Sequence, residues 1–234
     1  MPSLCIITAR GGSKRIPRKN VRPFCGKPII AYSICTAQES GCFDEVMVST
    51  DDHEIAQISR EYGAKVPFMR SETASSDYST TVDVLLEVLG EYAKRSKTFD
   101  LGCCIYPTAP FITKETLRSA RVMLAENPSI LSVMPLVRFS YPIQRALKIK
   151  DGLISMFQPE HLNSRSQDLE PAYHDAGQFY WFRTAEFMRS KNIIGMQTAG
   201  LILPESQVQD IDTEEDWALA ELKYRHIHVH GSLQ

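Results

Sequence analysis

The chain has 234 residues, 43% of them hydrophobic, and a formal net charge of −2. Those totals suit one α/β domain with a real core and exclude a disordered chain or a general polyanion and nucleic-acid binder. No apolar run approaches the roughly 20 residues of a membrane helix, so no membrane partner is expected.

The six cysteines (Cys5, Cys25, Cys35, Cys42, Cys103, Cys104) show no Cys-x-x-Cys pair and no disulfide-like spacing. Cys5, Cys103 and Cys104 lie in apolar runs and read as small core residues. The first residues lead straight into a strand, which predicts no signal peptide and a reducing cytoplasm.

Strand-like and helical runs alternate from the start. Residues 4–7 are an apolar strand. Pro28 sits where a helix can begin; Ile29, Ile30, Ser33, Ile34 and Ala37 recur at helical spacing, and Gly41 stops the run. Residues 45–49 form a second strand. Asp51 and Asp52 follow as a cap for a helix through Glu61, ended by Gly63. Residues 65–69 read as a third strand. Residues 79–94 are helical, with Val82, Leu85, Leu86 and Leu89 on one face. A fourth strand spans 101–106, Thr113 caps a helix through Ala125, and a fifth strand spans 130–136. This order predicts a doubly wound, mostly parallel sheet of the Rossmann-like kind. Ligands of such sheets gather at the carboxyl ends of the strands.

The rhythm then breaks. Residues 137–172 form a polar excursion, with a hairpin expected around Asp151-Gly152. An aromatic strand follows at 177–183, then a short helix at 185–189 and an extended segment at 200–203. Thr213 and Asp216 have capping-box spacing and open the last helix, which carries Trp217, Ala220 and Tyr224 on one face. From His226 onward the tail is expected to fray. Its alternating histidines have no accompanying ligand and read as a solvated end.

Two stretches carry chemistry. Five of the ten residues from 10 to 19 are basic: Arg10, Lys14, Arg15, Arg18 and Lys19. With Gly11, Gly12 and Ser13 they follow a buried strand. Adjacent glycines let backbone N–H groups approach an anion, so the loop reads as a phosphate cradle. It is neither a P-loop nor a dinucleotide fingerprint. The second stretch is Asp210-Ile211-Asp212. Alternate residues of an extended segment point the same way, so both carboxylates share a face while Ile211 turns to the core. Mg²⁺ suits such a pair, held by carboxylates and substrate phosphates. Asp212 also fits a simple helix cap; Asp210 does not.

The run Ala9-Arg10-Gly11-Gly12-Ser13-Lys14-Arg15-Ile16-Pro17-Arg18-Lys19-Asn20 resembles the first motif of the CMP-sialic acid synthetase family of cytidylyltransferases. The resemblance extends nearly to the C-terminus and is strongest to the branch that activates pseudaminic acid. It implies transfer of CMP from CTP to a nonulosonic acid sugar, with Mg²⁺ as cofactor and pyrophosphate released. It implies that Arg10, Lys14 and Lys19 serve the triphosphate, with Gly11, Gly12 and Ser13, and that Asp210 and Asp212 hold the metal. Asn20 and Arg70 resemble the family's nucleoside contacts, although Arg70 alone reads equally well as a surface arginine. Tyr106 and Thr108 belong to Tyr106-Pro-Thr-Ala-Pro110, in the place of a Gln-Pro-Thr-Ser-Pro motif. The glutamine that touches the sugar in sialic acid enzymes is Tyr106 here, which points away from N-acetylneuraminate. Arg165 resembles an arginine near the acid substrate, while a second one, eight residues on, is Tyr173 here. Gln178 and Tyr180, in Asp175-Ala-Gly-Gln-Phe-Tyr180, fit sugar contacts and core strand positions equally. The excursion at 137–172 corresponds to a region that makes a homodimer and reaches the partner's site. Alternatives to pseudaminic acid are N-acetylneuraminate, legionaminate and Kdo. A non-catalytic nucleotide-binding scaffold is the alternative of another class.

Overall fold

The computed structural model describes residues 1–76 and 78–230. Its centre is a mixed sheet. Strand β1 (Ser3–Thr8) is followed by the two-residue strands β2 (Pro23–Phe24) and β3 (Lys27–Pro28), which pair with each other. Helix α1 (Ile29–Ser40), strand β4 (Glu45–Ser49) and helix α2 (His53–Glu61) come next. A four-residue helix α3 (Glu72–Ser75) precedes α4 (Thr81–Lys94), β5 (Leu101–Ile105), α5 (Lys114–Glu126) and β6 (Ser132–Arg138). The excursion holds the hairpin β7 (Leu147–Lys150) and β8 (Leu153–Met156) and returns through β9 (Tyr173–Asp175). Then come β10 (Phe179–Arg183), α6 (Thr184–Ser190), β11 (Thr198–Leu203) and α7 (Glu214–His230).

The strand order is β11-β6-β10-β5-β1-β4, with β9 also paired to β6. β1 runs parallel to β4 and β5, and β6 to β11. The aromatic strand β10 lies antiparallel between β5 and β6. The expected mostly parallel, doubly wound sheet is present, with β10 inverted at its middle and the short β9 also antiparallel to β6.

The alternation of the strands sorts side chains to two faces. Cys5, Ile7, Val48, Cys103 and Trp181 pack under α1, α2 and α5 through Ile34, Ile55 and Leu117. Leu4, Ile6, Cys104, Tyr180 and Phe182 pack on the other face under α4 and α6 through Leu85, Val88 and Phe187. At Gly102 an added Cβ would sit 2.4 Å from the Phe182 ring, so β10 packs there only against glycine. A third cluster joins α7 to the first loop: Ile16, Phe24, Tyr32, Ile211 and Trp217 are all buried.

The helix starts follow their caps. Asp52 accepts the Ile55 N–H, Thr80 and Asp83 form a reciprocal box, and Thr113 pairs with Thr116. Thr213 and Asp216 reciprocate as read from the sequence. Asp212 therefore has no capping duty.

Two expectations need correction, and a third is met and extended. Residues 65–69 are not a strand: only Lys65 bridges Met47. Pro67 lacks the N–H that would continue the ladder. The extended segment near 200–203 is a full sheet strand, β11. The tail does not fray at His226, because α7 continues through His230. The remaining residues of the tail, 231–234, lie outside the described residues.

Candidate active site

The strands β1, β4 and β5 end on one rim, and the loops leaving them enclose a cleft of about 550 Å³. Thr8, Arg10, Ser13, Lys14, Arg15, Lys19 and Asn20 line it from the first loop. Arg70 lies deeper. Tyr106, Pro107 and Thr108 close the side beyond β5. A cavity of about 600 Å³ between the excursion and the core has Arg138, Glu170 and Glu205 as its charged lining and no comparable gathering of cations.

The first loop is shaped by anchors rather than by regular structure. Ala9 N–H donates to the Ser49 carbonyl at 3.0 Å and so extends the β1–β4 register by one bond. Gly11 N–H donates to Asp51 Oδ1 at 2.9 Å. A Cβ on Gly11 would lie 2.8 Å from Asp52 Oδ2 and 2.9 Å from its Cβ, so only glycine lets the loop pass α2 this closely. At Gly12 a Cβ would meet nothing within 4 Å. Gly12 borders open space, where an anion can approach the backbone.

The cations of the loop divide into two groups. Arg18, in the left-handed region at φ 55°, turns away from the cleft and grips Asp52 with both arms, at 2.6 and 3.2 Å, and also pairs with Glu54. The Arg18 guanidinium holds the Asp52 carboxyl below its ordinary range, against burial. Arg18 is thus a structural clamp. Arg10, Lys14, Arg15 and Lys19 face the cleft.

Asn20 is buried and donates from Nδ2 to the Arg10 carbonyl at 2.8 Å, which fixes the mouth of the loop. Arg70 is buried too; its Nε bonds Ser49 Oγ at 3.0 Å and its Nη2 the Ser49 carbonyl at 2.5 Å. Burial lowers its guanidinium from the usual value, and the charges of Asp51 and Glu87 oppose that shift. The surface-arginine reading of Arg70 is therefore wrong: it is a buried cation at the end of β4, open to the cleft.

The Asp210-Ile211-Asp212 segment meets this loop from the far end of the chain. Ile211 is buried as expected. Lys19 Nζ donates to its carbonyl at 2.7 Å and stands 3.6 Å from Asp212 Oδ1. Arg15 Nη1 bonds Asp212 Oδ2 at 2.8 Å. Asp210 is exposed, and among the described residues its carboxylate has no hydrogen-bond or ion-pair partner. No group of three or more His, Cys, Asp or Glu side chains converges among the described residues. The donor set is thus two carboxylates on alternate residues, short of a full cage. That fits a hard cation that completes its shell with phosphate oxygens and water.

The sugar-side residues are less tightly gathered. Tyr106 lines the cleft and its ring meets Tyr180 edge-on at 5.5 Å. Its hydroxyl is 3.5 Å from Thr81 Oγ1. Burial raises the Tyr106 phenol above its usual value. Tyr180 stands behind it and donates to Asp175 Oδ2 at 2.6 Å. Gln178 is buried, with Nε2 on the Gln207 carbonyl at 2.7 Å and Oε1 unpartnered among the described residues. Neither Gln178 nor Tyr180 lines the cleft; both sit in the wall behind it. Arg165 does not reach it either. It is an exposed residue of the excursion, paired with Asp168 at 2.8 Å.

The sequence reading missed a wall of hydroxyls. Ser76, Ser79, Thr80 and Thr81, from the segment between α3 and α4, line the cleft opposite the basic loop. Thr81 opens a helix and Thr80 caps it, so their place at a helix start was legible. Their facing the basic loop was not.

Comparison with known proteins agrees with this geometry. A family model described as cytidylyltransferase matches residues 4–215. A pseudaminic acid cytidylyltransferase of Campylobacter jejuni is 42% identical over 96% of this chain and 97% of its own. A CMP-N,N'-diacetyllegionaminic acid synthase of Legionella pneumophila is 35% identical over 94% and 95%. Among solved structures, a CMP:2-keto-3-deoxy-manno-octonic acid synthetase complexed with CTP superposes with a TM-score of 0.69, covering 97% of this chain and 99% of that one. Its 17% identity makes this a likeness of fold. With relatives of this kind matched over nearly its whole length, the chain belongs to the cytidylyltransferase family and is a nucleotidyltransferase.

Proposed function

We propose that the protein transfers CMP from CTP to pseudaminic acid and releases pyrophosphate. The observation that carries this reading is the convergence of five cationic side chains, Arg10, Lys14, Arg15, Lys19 and Arg70, on one cleft that Tyr106 closes. The relatives supply the sugar: the 42% identical protein is named for pseudaminic acid, whereas the legionaminic acid synthase is more distant at 35%.

In this reaction a hydroxyl of the sugar attacks the α-phosphorus of CTP. A new O–P bond forms as the bond from that phosphorus to the bridging oxygen breaks. The electron pair leaves with pyrophosphate, and the hydroxyl gives up its proton to water. Among the described residues the cleft lining holds no carboxylate and no imidazole. The chain contributes positioning and charge, as phosphoryl transfer requires. Arg10, Lys14 and Lys19 neutralise the triphosphate and the departing pyrophosphate. Ser13 and the Gly12 amide donate hydrogen bonds. The Asn20 side chain, with its nitrogen on the Arg10 carbonyl, keeps its oxygen as an acceptor for the base. Asp210 and Asp212 would hold Mg²⁺ in this reading, which would add charge neutralisation at the phosphates.

The excursion is read as the self-association element. Leu147, Ile149, Leu153 and Ile154 are exposed on a two-stranded hairpin that is too small to bury them alone. A second copy covering them would give these side chains the burial that the hairpin lacks, and the resemblance implies that Arg165 then serves the partner's cleft. The six unpaired cysteines of the chain suit a reducing cytoplasm.

The test is pyrophosphate release with CTP and Mg²⁺, offering pseudaminic acid and N-acetylneuraminic acid side by side. Release with pseudaminic acid alone is expected. Release with N-acetylneuraminic acid alone overturns the sugar assignment but keeps the chemistry. Binding of CTP that Mg²⁺ leaves unchanged, with no turnover on any nonulosonate, favours the scaffold reading. Asp210→Asn is expected to fold normally and to lose turnover by roughly 10²-fold, with weaker Mg²⁺ binding.

A further inference from the structure

Asp212 is the carboxylate in the candidate metal pair that is already engaged. Arg15 takes one of its oxygens at 2.8 Å, and Lys19 stands 3.6 Å from the other. The two cations differ in how they are held. The Lys19 side chain is 19% exposed and anchored on the Ile211 carbonyl at 2.7 Å. The Arg15 side chain is 69% exposed, and among the described residues its polar contact is Asp212. Arg15 also lines the cleft where a triphosphate is read to sit. A long, exposed guanidinium between a carboxylate and an anion site can serve either without moving the backbone.

We propose that Arg15 is an exchangeable counter-ion for Asp212. It holds the carboxylate toward the cleft until a divalent cation arrives, and its guanidinium then turns to the triphosphate. This rests on the reading of Asp210 and Asp212 as the metal pair. The physical ground is competition. A divalent cation at Asp212 and a guanidinium on the same carboxylate repel each other, so the singly charged and mobile partner leaves. The released Arg15 faces the triphosphate, to which a guanidinium binds as a planar fork. Lys19 stays, because its carbonyl bond does not depend on the carboxylate. The exchange costs little, since exposed pairs of this kind are weak. Arg15 acts on the metal through Asp212 and is a positioning residue in the nucleotide-free chain.

The experiment uses the full chain without nucleotide. Mn²⁺ serves as the probe and is followed by its electron paramagnetic resonance signal, which reads binding independently of activity. Arg15→Gln is expected to bind Mn²⁺ about 2- to 5-fold more tightly than the parent, the range of an exposed ion pair at ~1.4 kcal/mol per decade. Arg15→Lys, which keeps the charge, is expected to stay near the parent. A second readout is the Arg15 Nε resonance, assigned by its loss in the lysine variant. It should shift when Mg²⁺ is added and should stay fixed in Asp212→Asn. Parent protein that binds Mn²⁺ with an affinity that Arg15→Gln leaves unchanged or weakens overturns the exchange while the metal pair stands. Parent protein that binds Mn²⁺ only when CTP is present overturns the exchange and keeps the metal pair, and parent protein that binds none even with CTP overturns both.

Discussion

Lys19 Nζ lies 2.7 Å from the carbonyl of Ile211 and 3.6 Å from Asp212 Oδ1. One ammonium thus ties the basic loop after β1 to the acidic segment before α7, across 192 residues of chain. Ile16, Phe24 and Ile211 pack beneath the tie in a shared apolar cluster. The loop and the carboxylates consequently face each other over a distance set by packing. Lys19→Met keeps the stem and removes the ammonium. The Ile211 carbonyl then loses its donor, and the triphosphate loses a charge placed for its developing negative charge. Turnover is expected to fall by about 10²- to 10³-fold, and stability by roughly 1 kcal/mol. Steady-state pyrophosphate release and urea unfolding measure the two effects separately. A variant with full turnover would remove Lys19 from the chemistry.

The two glycines of the loop are expected to behave differently. Gly11→Ala places a Cβ 2.9 Å from the Cβ of Asp52, which is fixed at the start of α2. Either the loop or the helix must shift, at a cost of about 1–3 kcal/mol. Gly12→Ala meets no atom within 4 Å and should leave stability within about 0.5 kcal/mol of the parent. In the proposed reading the Gly12 backbone meets the triphosphate, so CTP affinity should fall instead. Thermal unfolding and CTP titration on both variants check this crossing pattern. Equal destabilisation by the two substitutions would contradict it.

The strand ends that build the site could be read from residue patterns. Apolar runs at β1, β4 and β5, each cut by glycine, aspartate or proline, give both the parallel order and the rim where the loops gather. The inverted β10 could not be read this way, because an aromatic run looks the same in either direction. Only its pairing with Cys103 and Val133 fixes its sense. The false strand at 65–69 shows the limit of β-propensity beside a proline. Within the site, Arg70 alone looked like any charged residue. Its burial depends on Ser49, which is 21 residues away. The Arg15–Asp212 pair spans 197 residues and leaves no local trace. The hydroxyls of Ser76 and Ser79 sit in a polar linker with no periodicity to mark them.

Asp52 gives the loop a pH dependence. Its carboxyl is held below the ordinary range chiefly by the Arg18 hydrogen bond, and burial pushes the other way. A depressed folded value means the contribution is complete above the unfolded value of about 3.9 and is lost as pH falls through the lower folded one. Asn at this position still caps α2, since its side-chain oxygen can accept the Ile55 N–H. Asp52→Asn therefore isolates the charge. With the Arg18 side chain 41% exposed, screening keeps the pair near 0.5–1 kcal/mol at pH 7. The parent should lose this increment below about pH 4, so the two stability curves should converge in acid. Urea unfolding from pH 7 down to pH 3 tests it. Curves that stay parallel would show that the Arg18 pair contributes nothing.

Tyr106 lines the cleft with its ring supported from behind, and in the proposed reading it is the residue that sets the sugar. Its ring packs edge-on against Tyr180 at 5.5 Å, and Tyr180 is pinned by Asp175 at 2.6 Å. The cleft therefore presents a supported aromatic face and one hydroxyl where an amide would present a donor and an acceptor. An aromatic face favours an apolar edge of the sugar, whereas an amide favours hydroxyl groups. Tyr106→Gln leaves Arg10, Lys14 and Asn20 untouched, so CTP affinity should hold within about 2-fold, because the change lies outside their contacts. Turnover per KM on pseudaminic acid should fall by about 10- to 100-fold, the range for one misfit group in a pocket. Activity on N-acetylneuraminic acid should rise relative to it. Tyr180→Phe keeps the ring but frees Asp175 Oδ2, and it is expected to raise the sugar KM by about 10-fold or more with CTP affinity unchanged, since a hydrogen bond to a charged acceptor contributes about 1.5–3 kcal/mol. Competition assays with both sugars under saturating CTP separate these effects. If Tyr106→Gln kept the parent's preference, the choice of sugar would have to lie in another wall of the cleft, and Ser76 to Thr81 would be the next place to substitute.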